Sequence, residues 1–152
     1  MPAALASRAS AWCDVPVSDL RRRLAAASRW YAVAFMLGVI FALSSIPGVA
    51  DPQAPALPID KVVHAGEYAV LAFVLAGALR RRFAPPWPVL LVLAGVAVFG
   101  ALYGASDEFH QRFVPGRDPA IGDWLADVTG VVIGALASAL LLRADDLRQP
   151  RS

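Results

Sequence analysis

Cysteine is almost missing from this chain. Cys13 stands alone, so no internal disulfide can form, and no CxxC or mixed Cys/His spacing offers an ordinary structural zinc site. Charge is also scarce: 17% of the 152 residues are charged against 58% hydrophobic, with a mean hydropathy of +0.56. A chain of that composition is too apolar for an ordinary soluble domain and too short for several membrane domains. The net charge of +2 and pI near 9.1 do not point to nucleic acid, because no basic, aromatic-studded soluble face exists. Basic residues cluster instead at the ends of apolar runs, as membrane orientation signals do. SAWC around Cys13 is a poor lipoprotein signal, since no apolar segment precedes it.

What the sequence does have is long apolar stretches. Trp30 to Ile46, Val62 to Leu79, Val89 to Ser106 and Ile121 to Leu142 are each long enough to cross a bilayer, with Trp30 and Tyr31 suited to the interface. Small residues at Gly48, Val49 and Ala50 would suit a cleavage site after the first run, but the leader would be unusually long, so the first run reads as a span. Residues 1–28 read as a polar, Ala-rich tail in which Ser18 and Asp19 can cap a short helix, and 144–152 as a second tail. Pro47 to Pro58 holds four prolines and no basic residue, and Pro85, Pro86 and Pro88 break the chain between the second and third runs. Arginines at 8, 21–23, 29, 80–82, 143, 148 and 151 lie on one side, against Lys61, Arg112 and Arg117 on the other. The positive-inside rule then puts both termini in the cytoplasm. The expectation is an all-α, four-helix transmembrane bundle, spanning residues 29–143.

The polar residues within these runs are concentrated at one level. Gly100 to Arg117 reads GALYGASDEFHQRFVPGR, and charged groups at membrane depth cost roughly 2.5 to 3.5 kcal/mol each even on lenient scales, so partners or a function must hold them. At about 1.5 Å per residue from the cytoplasmic arginine clusters, Glu67 lies roughly 20 Å up and His64 and Asp127 roughly 24 Å up. With a hydrocarbon core of about 30 Å, that is the outer half of the bilayer. Helical spacing assigns faces: Lys61, His64 and Tyr68 share one, Tyr103, Asp107 and Gln111 another, and Asp123, Asp127, Gly130 and Gly134 a third. Gly130 and Gly134 form a small-xxx-small pair, which favours close packing against a neighbour.

Residues 60 to 142 resemble the VanZ-like family of small integral membrane proteins. The likeness is carried by Asp60-Lys61-x-x-His64-x-x-Glu67-Tyr68, by Glu108-x-x-Gln111 with Pro115-Gly116-Arg117, and by Asp123-x-x-x-Asp127-x-x-Gly130-x-x-x-Gly134. Where that family often has Asn, this chain has Asp127, so a hydrogen-bonding role carries over and a donor amide does not. The family takes its name from a protein associated with teicoplanin resistance, which implies a cell-envelope setting.

Read as chemistry, His64 and Glu67 stand one turn apart, as a general acid-base pair needs; read as architecture, they are a buried hydrogen-bonding pair stitching helices together. Lys61 and Arg117 can clamp a phosphate at headgroup level, or snorkel and pair with Asp60, Glu108 and Asp123. Asp107, Glu108, His64, His110, Asp123 and Asp127 include hard oxygen ligands, but no established ligand spacing supports a metal, and no cofactor is indicated. Tyr68 and Tyr103 are more often packing residues than catalysts. The leading reading is an enzyme or binder for phosphate-bearing lipids or lipid-linked envelope precursors. It assigns His64, Glu67, Glu108 and Asp123 to catalysis, and Lys61, Tyr68, Gln111, Arg117 and Asp127 to substrate binding. The alternatives are a non-catalytic protein that shields the envelope from glycopeptides, and a small transporter. Transport would require stepping stones that the cytoplasmic halves of the spans lack, since those halves carry no ionisable residue.

Overall fold

The computed structural model describes residues 16–48, 58–83 and 88–148. Within them the chain forms α1 (Val17–Ser44), α2 (Pro58–Phe83), α3 (Val89–Gln111) and α4 (Ile121–Arg148). Each helix is long and apolar enough to cross a membrane. The protein is accordingly a multi-pass membrane protein, and it turns much of its large apolar surface outward: Tyr31, Phe35, Leu90, Leu102, Ile133 and Leu140 are all exposed.

The first helix is longer than the apolar run alone predicts. It begins directly after Pro16, whose carbonyl accepts from the amides of Asp19 and Leu20 at 2.8 and 3.2 Å, and no side chain caps it. Ser18 and Asp19 therefore sit inside the first turn, where the acid complements the helix dipole. From there the arginines at 21–23 and the alanines at 25–27 continue into the span, because nothing between Val17 and Ser44 breaks a helix before Gly38, which an apolar span tolerates. At 28 residues α1 is roughly 42 Å long, so its arginine-bearing end reaches past a hydrocarbon core of about 30 Å. Cys13 and most of the Pro47 to Pro58 connection lie outside the described residues.

Proline punctuates the other helices. Pro58 occupies the first turn of α2, where a missing N–H costs nothing, and Pro88 precedes α3. The arginines at 80–82 fill the last turn of α2, the end at which the dipole favours cations. Between α3 and α4 the chain turns at Gly116, whose φ of 74° suits glycine. Its backbone meets that of Gly48 after α1, where the Gly48 amide donates to the Pro115 carbonyl at 3.1 Å. A Cβ on either glycine would run into the carbonyl of the other.

The bundle is organised around the seam between α2 and α4. A Cβ at Gly130 would strike the Ala65 carbonyl, and one at Gly134 the Ala69 carbonyl, so the two backbones are in direct contact. Helices approach this closely in lipid because dispersion between small residues substitutes for a hydrophobic drive that lipid does not supply. Below that contact, Leu71, Ala72, Leu75 and Ala76 of α2 and Val131 and Ala135 of α4 close the core. α3 packs on α4, with Gly100 set against Val131. α1 is the outermost member and buries only Val33, Ile40 and Ser44 among its described residues.

Candidate functional site

At the end of the α2 to α4 seam formed by the N-terminal turns of both helices, the outer end in the orientation expected from the arginines, the small residues give way to polar ones and the two helices meet through side chains. His64 Nδ1 lies 3.0 Å from Asp127 Oδ1, and both residues are buried, Asp127 completely. One turn nearer the helix starts, Lys61 Nζ donates to Asp123 Oδ1 at 2.5 Å, with the lysine half exposed. The spacings make this registration possible: Lys61 and His64 are three residues apart, Asp123 and Asp127 four, so each pair stacks on one face of its helix and matches the other. With Nδ1 committed to Asp127, Nε2 is the imidazole nitrogen left to act on a ligand.

α3 brings a second polar set against the first. Its buried residues are Val92, Val96, Gly100, Gly104, Asp107 and Gln111, a stripe at helical spacing whose outer two members are polar. Asp107 Oδ2 accepts from Ser44 Oγ at 2.8 Å and from Gln111 Nε2 at 3.1 Å. Glu108, next in sequence and therefore turned towards α4, accepts through Oε2 from the Ala120 amide at 2.8 Å. It thus satisfies a donor at the α4 N-terminus, where an acid is also favoured by the dipole. Tyr103 reaches α1, donating to the Leu37 carbonyl at 2.8 Å, and Trp124 Nε1 ties α4 to the Ala101 carbonyl at 3.0 Å.

A cavity of about 170 Å³ opens where α1, α2 and the α3–α4 turn converge. Ser44, Asp60, His64, Glu67, Gln111 and Arg117 supply its polar lining, with Leu43, Ile46 and Val63 as apolar walls. Arg117 is held at the rim by the C-terminal end of α1, since Nε donates to the Ile46 carbonyl at 3.2 Å and Nη2 to the Leu43 carbonyl at 3.4 Å. The Leu43 carbonyl also accepts from the Ile46 amide at 3.2 Å, so the arginine adds to the carbonyls that close the C-terminal end of the helix, where a cation is favoured.

Of the residues singled out from the sequence, the structure gathers His64, Glu67, Gln111 and Arg117 around this cavity. Asp127 stands directly behind His64. Lys61 is not among the lining residues: it is turned to Asp123 across the seam, so the two basic groups do not face each other over the cavity. Tyr68 is fully buried in the core, its ring centre 6.1 Å from that of Tyr103, and its hydroxyl has no hydrogen-bond partner. Glu108 and Asp123 lie on the α4 side of the polar layer.

Sequence reasoning missed Ser44 and Ser45. Ser44 completes the Asp107 network, and Ser45 Oγ lies 3.1 Å from His110 Nε2, whose ring is 4.7 Å from that of Phe41. A usable signal existed, for consecutive hydroxyls at the outer end of an apolar run stand at the level already assigned to Asp107. It was hidden because Ser is common at span ends and carries no charge to demand a partner.

Comparisons with curated proteins and with solved structures give no match. The family model described as VanZ/LLP1 matches residues 15–142, a stretch that takes in all four helices but the last turns of α4. With its polar layer carried by the three helices that bear the motifs, the chain belongs to the VanZ/LLP1 family.

Proposed function

We propose that the cavity rimmed by Arg117 receives the phosphate-bearing headgroup of an envelope lipid or lipid-linked precursor. His64 is then the group placed to act on the phosphoester. The observation that carries this reading is the position of His64, which lines the cavity while a completely buried Asp127 holds its Nδ1. An imidazole fixed in this way keeps one orientation and directs its second nitrogen at whatever occupies the site, as a general base or nucleophile requires. Arg117 supplies a planar cation suited to phosphate oxygens. A volume of about 170 Å³ is below the range of about 300 to 1,000 Å³ typical of sites that engulf a whole small molecule. A lipid offers a match, with its headgroup inside and its tails along the exposed apolar flank of the bundle. Asp60 and Glu67 also line the cavity, which favours a headgroup carrying hydroxyl or amino donors beside its phosphate.

Transport is the weaker reading, because the interior below this layer is closed by Leu71, Ala72, Leu75, Ala76 and Val131 and offers an ion no polar route. The test is mass spectrometry of envelope lipids and lipid-linked precursors from cells with the protein, without it, and with His64→Gln. A headgroup change that requires His64 supports the reading. Unchanged lipids with altered glycopeptide binding would replace it with shielding. The reading also requires the cavity to face outward, with both termini inside, as the arginine distribution indicates. A membrane-impermeant thiol reagent on intact cells should label Cys introduced at exposed Asp118 and spare native Cys13; the opposite pattern would turn the cavity inward.

A further inference from the structure

Around His64, three helices bring together groups whose hydrogen bonding is incomplete. Glu108 Oε1 and Asp127 Oδ2 are both buried and neither has a hydrogen-bond partner. Almost every buried polar atom in a folded protein has one. Two orphaned carboxylate oxygens in the same layer of a membrane bundle therefore call for a positive partner. Oδ2 is directed at α3: a Cβ on Gly104 would lie 3.0 Å from it, and Glu108 stands one turn further along that helix.

We propose that His64, Glu108 and Asp127 form a binding site for one divalent metal ion of the zinc or manganese class at the junction of α2, α3 and α4. The three residues place ligand atoms within 4.8 Å of one another. Ligands bound at about 2.1 Å to a tetrahedral ion are roughly 3.4 Å apart, so closing the set takes a contraction of up to about 1.4 Å. His64 Nδ1 already stands 3.0 Å from Asp127 Oδ1, so α2 and α4 bring the imidazole and this carboxylate together without an ion. One imidazole with two carboxylates is a donor set for zinc, manganese or iron rather than for calcium, which asks for more oxygens. Two acids also balance a divalent charge, and lipid penalises any imbalance. The Ala120 amide holds Glu108 Oε2 and leaves Oε1 as the projecting oxygen, the kind of supporting bond that orients metal ligands. Because the ligands come from three helices, no local spacing in the sequence announces them. The neighbouring set of Asp60, His64 and Asp123 is the poorer candidate, since Asp60 is exposed and Asp123 is taken by Lys61.

An ion on His64 would take over the imidazole that the phosphate reading assigns to acid-base or nucleophilic work, so the metal-loaded protein would use Arg117 and the cavity without a free His64. The metal test needs no lipid and is read separately. Full-length protein in detergent, stripped with a chelator, is dialysed against Zn²⁺ or Mn²⁺ and its metal content measured by mass spectrometry. Wild type should retain about one ion per chain and melt at a higher temperature with metal than without. Glu108→Gln, which keeps an acceptor for the Ala120 amide, and Asp127→Asn should each bind at least about tenfold more weakly, while Asp118→Asn should bind as wild type does. Should the two site variants fail to fold, Co²⁺ in the wild-type protein decides, through the visible absorption of a protein-bound ion. No retained Zn²⁺ or Mn²⁺, equal retention by Glu108→Gln, or a Co²⁺ spectrum indistinguishable from the aqueous ion overturns the proposal.

Discussion

The seam between α2 and α4 has two halves that are held together differently. From Gly130 inward, backbone meets backbone: glycines rest on the Ala65 and Ala69 carbonyls, and Ala72, Ala76 and Ala135 extend the contact. From Asp127 outward, side chain meets side chain, through His64 with Asp127 and Lys61 with Asp123. Small residues give cohesion through shape and carry no chemistry. Polar pairs cost desolvation on burial and bring less cohesion, so under the proposed function their place in the outer half is chemical and not architectural. The fold should therefore depend on the inner half and the activity on the outer.

The largest effects should come from the inner half. Gly134→Leu places a side chain where the Ala69 carbonyl now lies, and a backbone group cannot swing aside as a side chain can. Overpacking a core costs about 1 to 3 kcal/mol when neighbours adjust; here the helices must separate, so the expected loss is roughly 3 kcal/mol or more. It should appear as a collapse of folded yield in detergent. Gly130→Leu should behave alike, and Val132→Leu, on the exposed face, should be silent in the same size-exclusion assay. Equal tolerance at all three positions would erase the distinction between the halves.

In the outer half, His64→Gln and Arg117→Gln should leave most of the stability and remove the function. Glutamine in place of His64 can still donate to Asp127, so the loss should stay below the value of an ordinary hydrogen bond, about 1 kcal/mol. If both residues serve one site, each single variant abolishes the envelope phenotype and the double is no worse, since groups acting as a unit lose function non-additively. Stability falling in step with phenotype, read by thermal melting in detergent, would assign the outer half to architecture as well.

These two halves were not equally legible in the sequence. The inner half could be read almost directly, because Gly130 and Gly134 at a spacing of four specify a packing face without reference to any partner. The α3 face through Tyr103, Asp107 and Gln111 was readable for the same reason, although the buried stripe runs through Gly104 and leaves Tyr103 only half-buried. Spacing gives the face of a helix but not the neighbour that the face meets. Lys61 shares a face with His64, yet it sits near the start of α2 opposite Asp123, and so turns to α4 and not to Arg117. Arg117 belongs to a turn whose placement follows from Gly48 meeting Gly116, a contact between residues far apart in the chain with no periodic signature. α1 was underestimated because apolarity marked the membrane-spanning part, while helix propensity carried the same helix on through its arginines.

The smallest expected effect on stability belongs to the outermost pair. The Lys61 side chain is 45% exposed and that of Asp123 11%, so the ion pair is reached by solvent and its attraction is largely screened. Asp123 also lies in the first turn of α4, where the helix dipole favours an acid with or without a lysine opposite. Lys61→Met should consequently leave melting in detergent almost unmoved, Asp123→Asn should do little more, and the double variant should equal the sum of the two within error, the signature of weak coupling. The contrast with Gly134→Leu, two turns beyond Asp127 along the same helix, would then span the whole range from a silent change to a lost fold. A clear drop in melting temperature for Lys61→Met, recovered in the double variant with Asp123→Asn, would show the pair to be a strut. The outer half would then have to be counted with the inner one in holding α2 against α4.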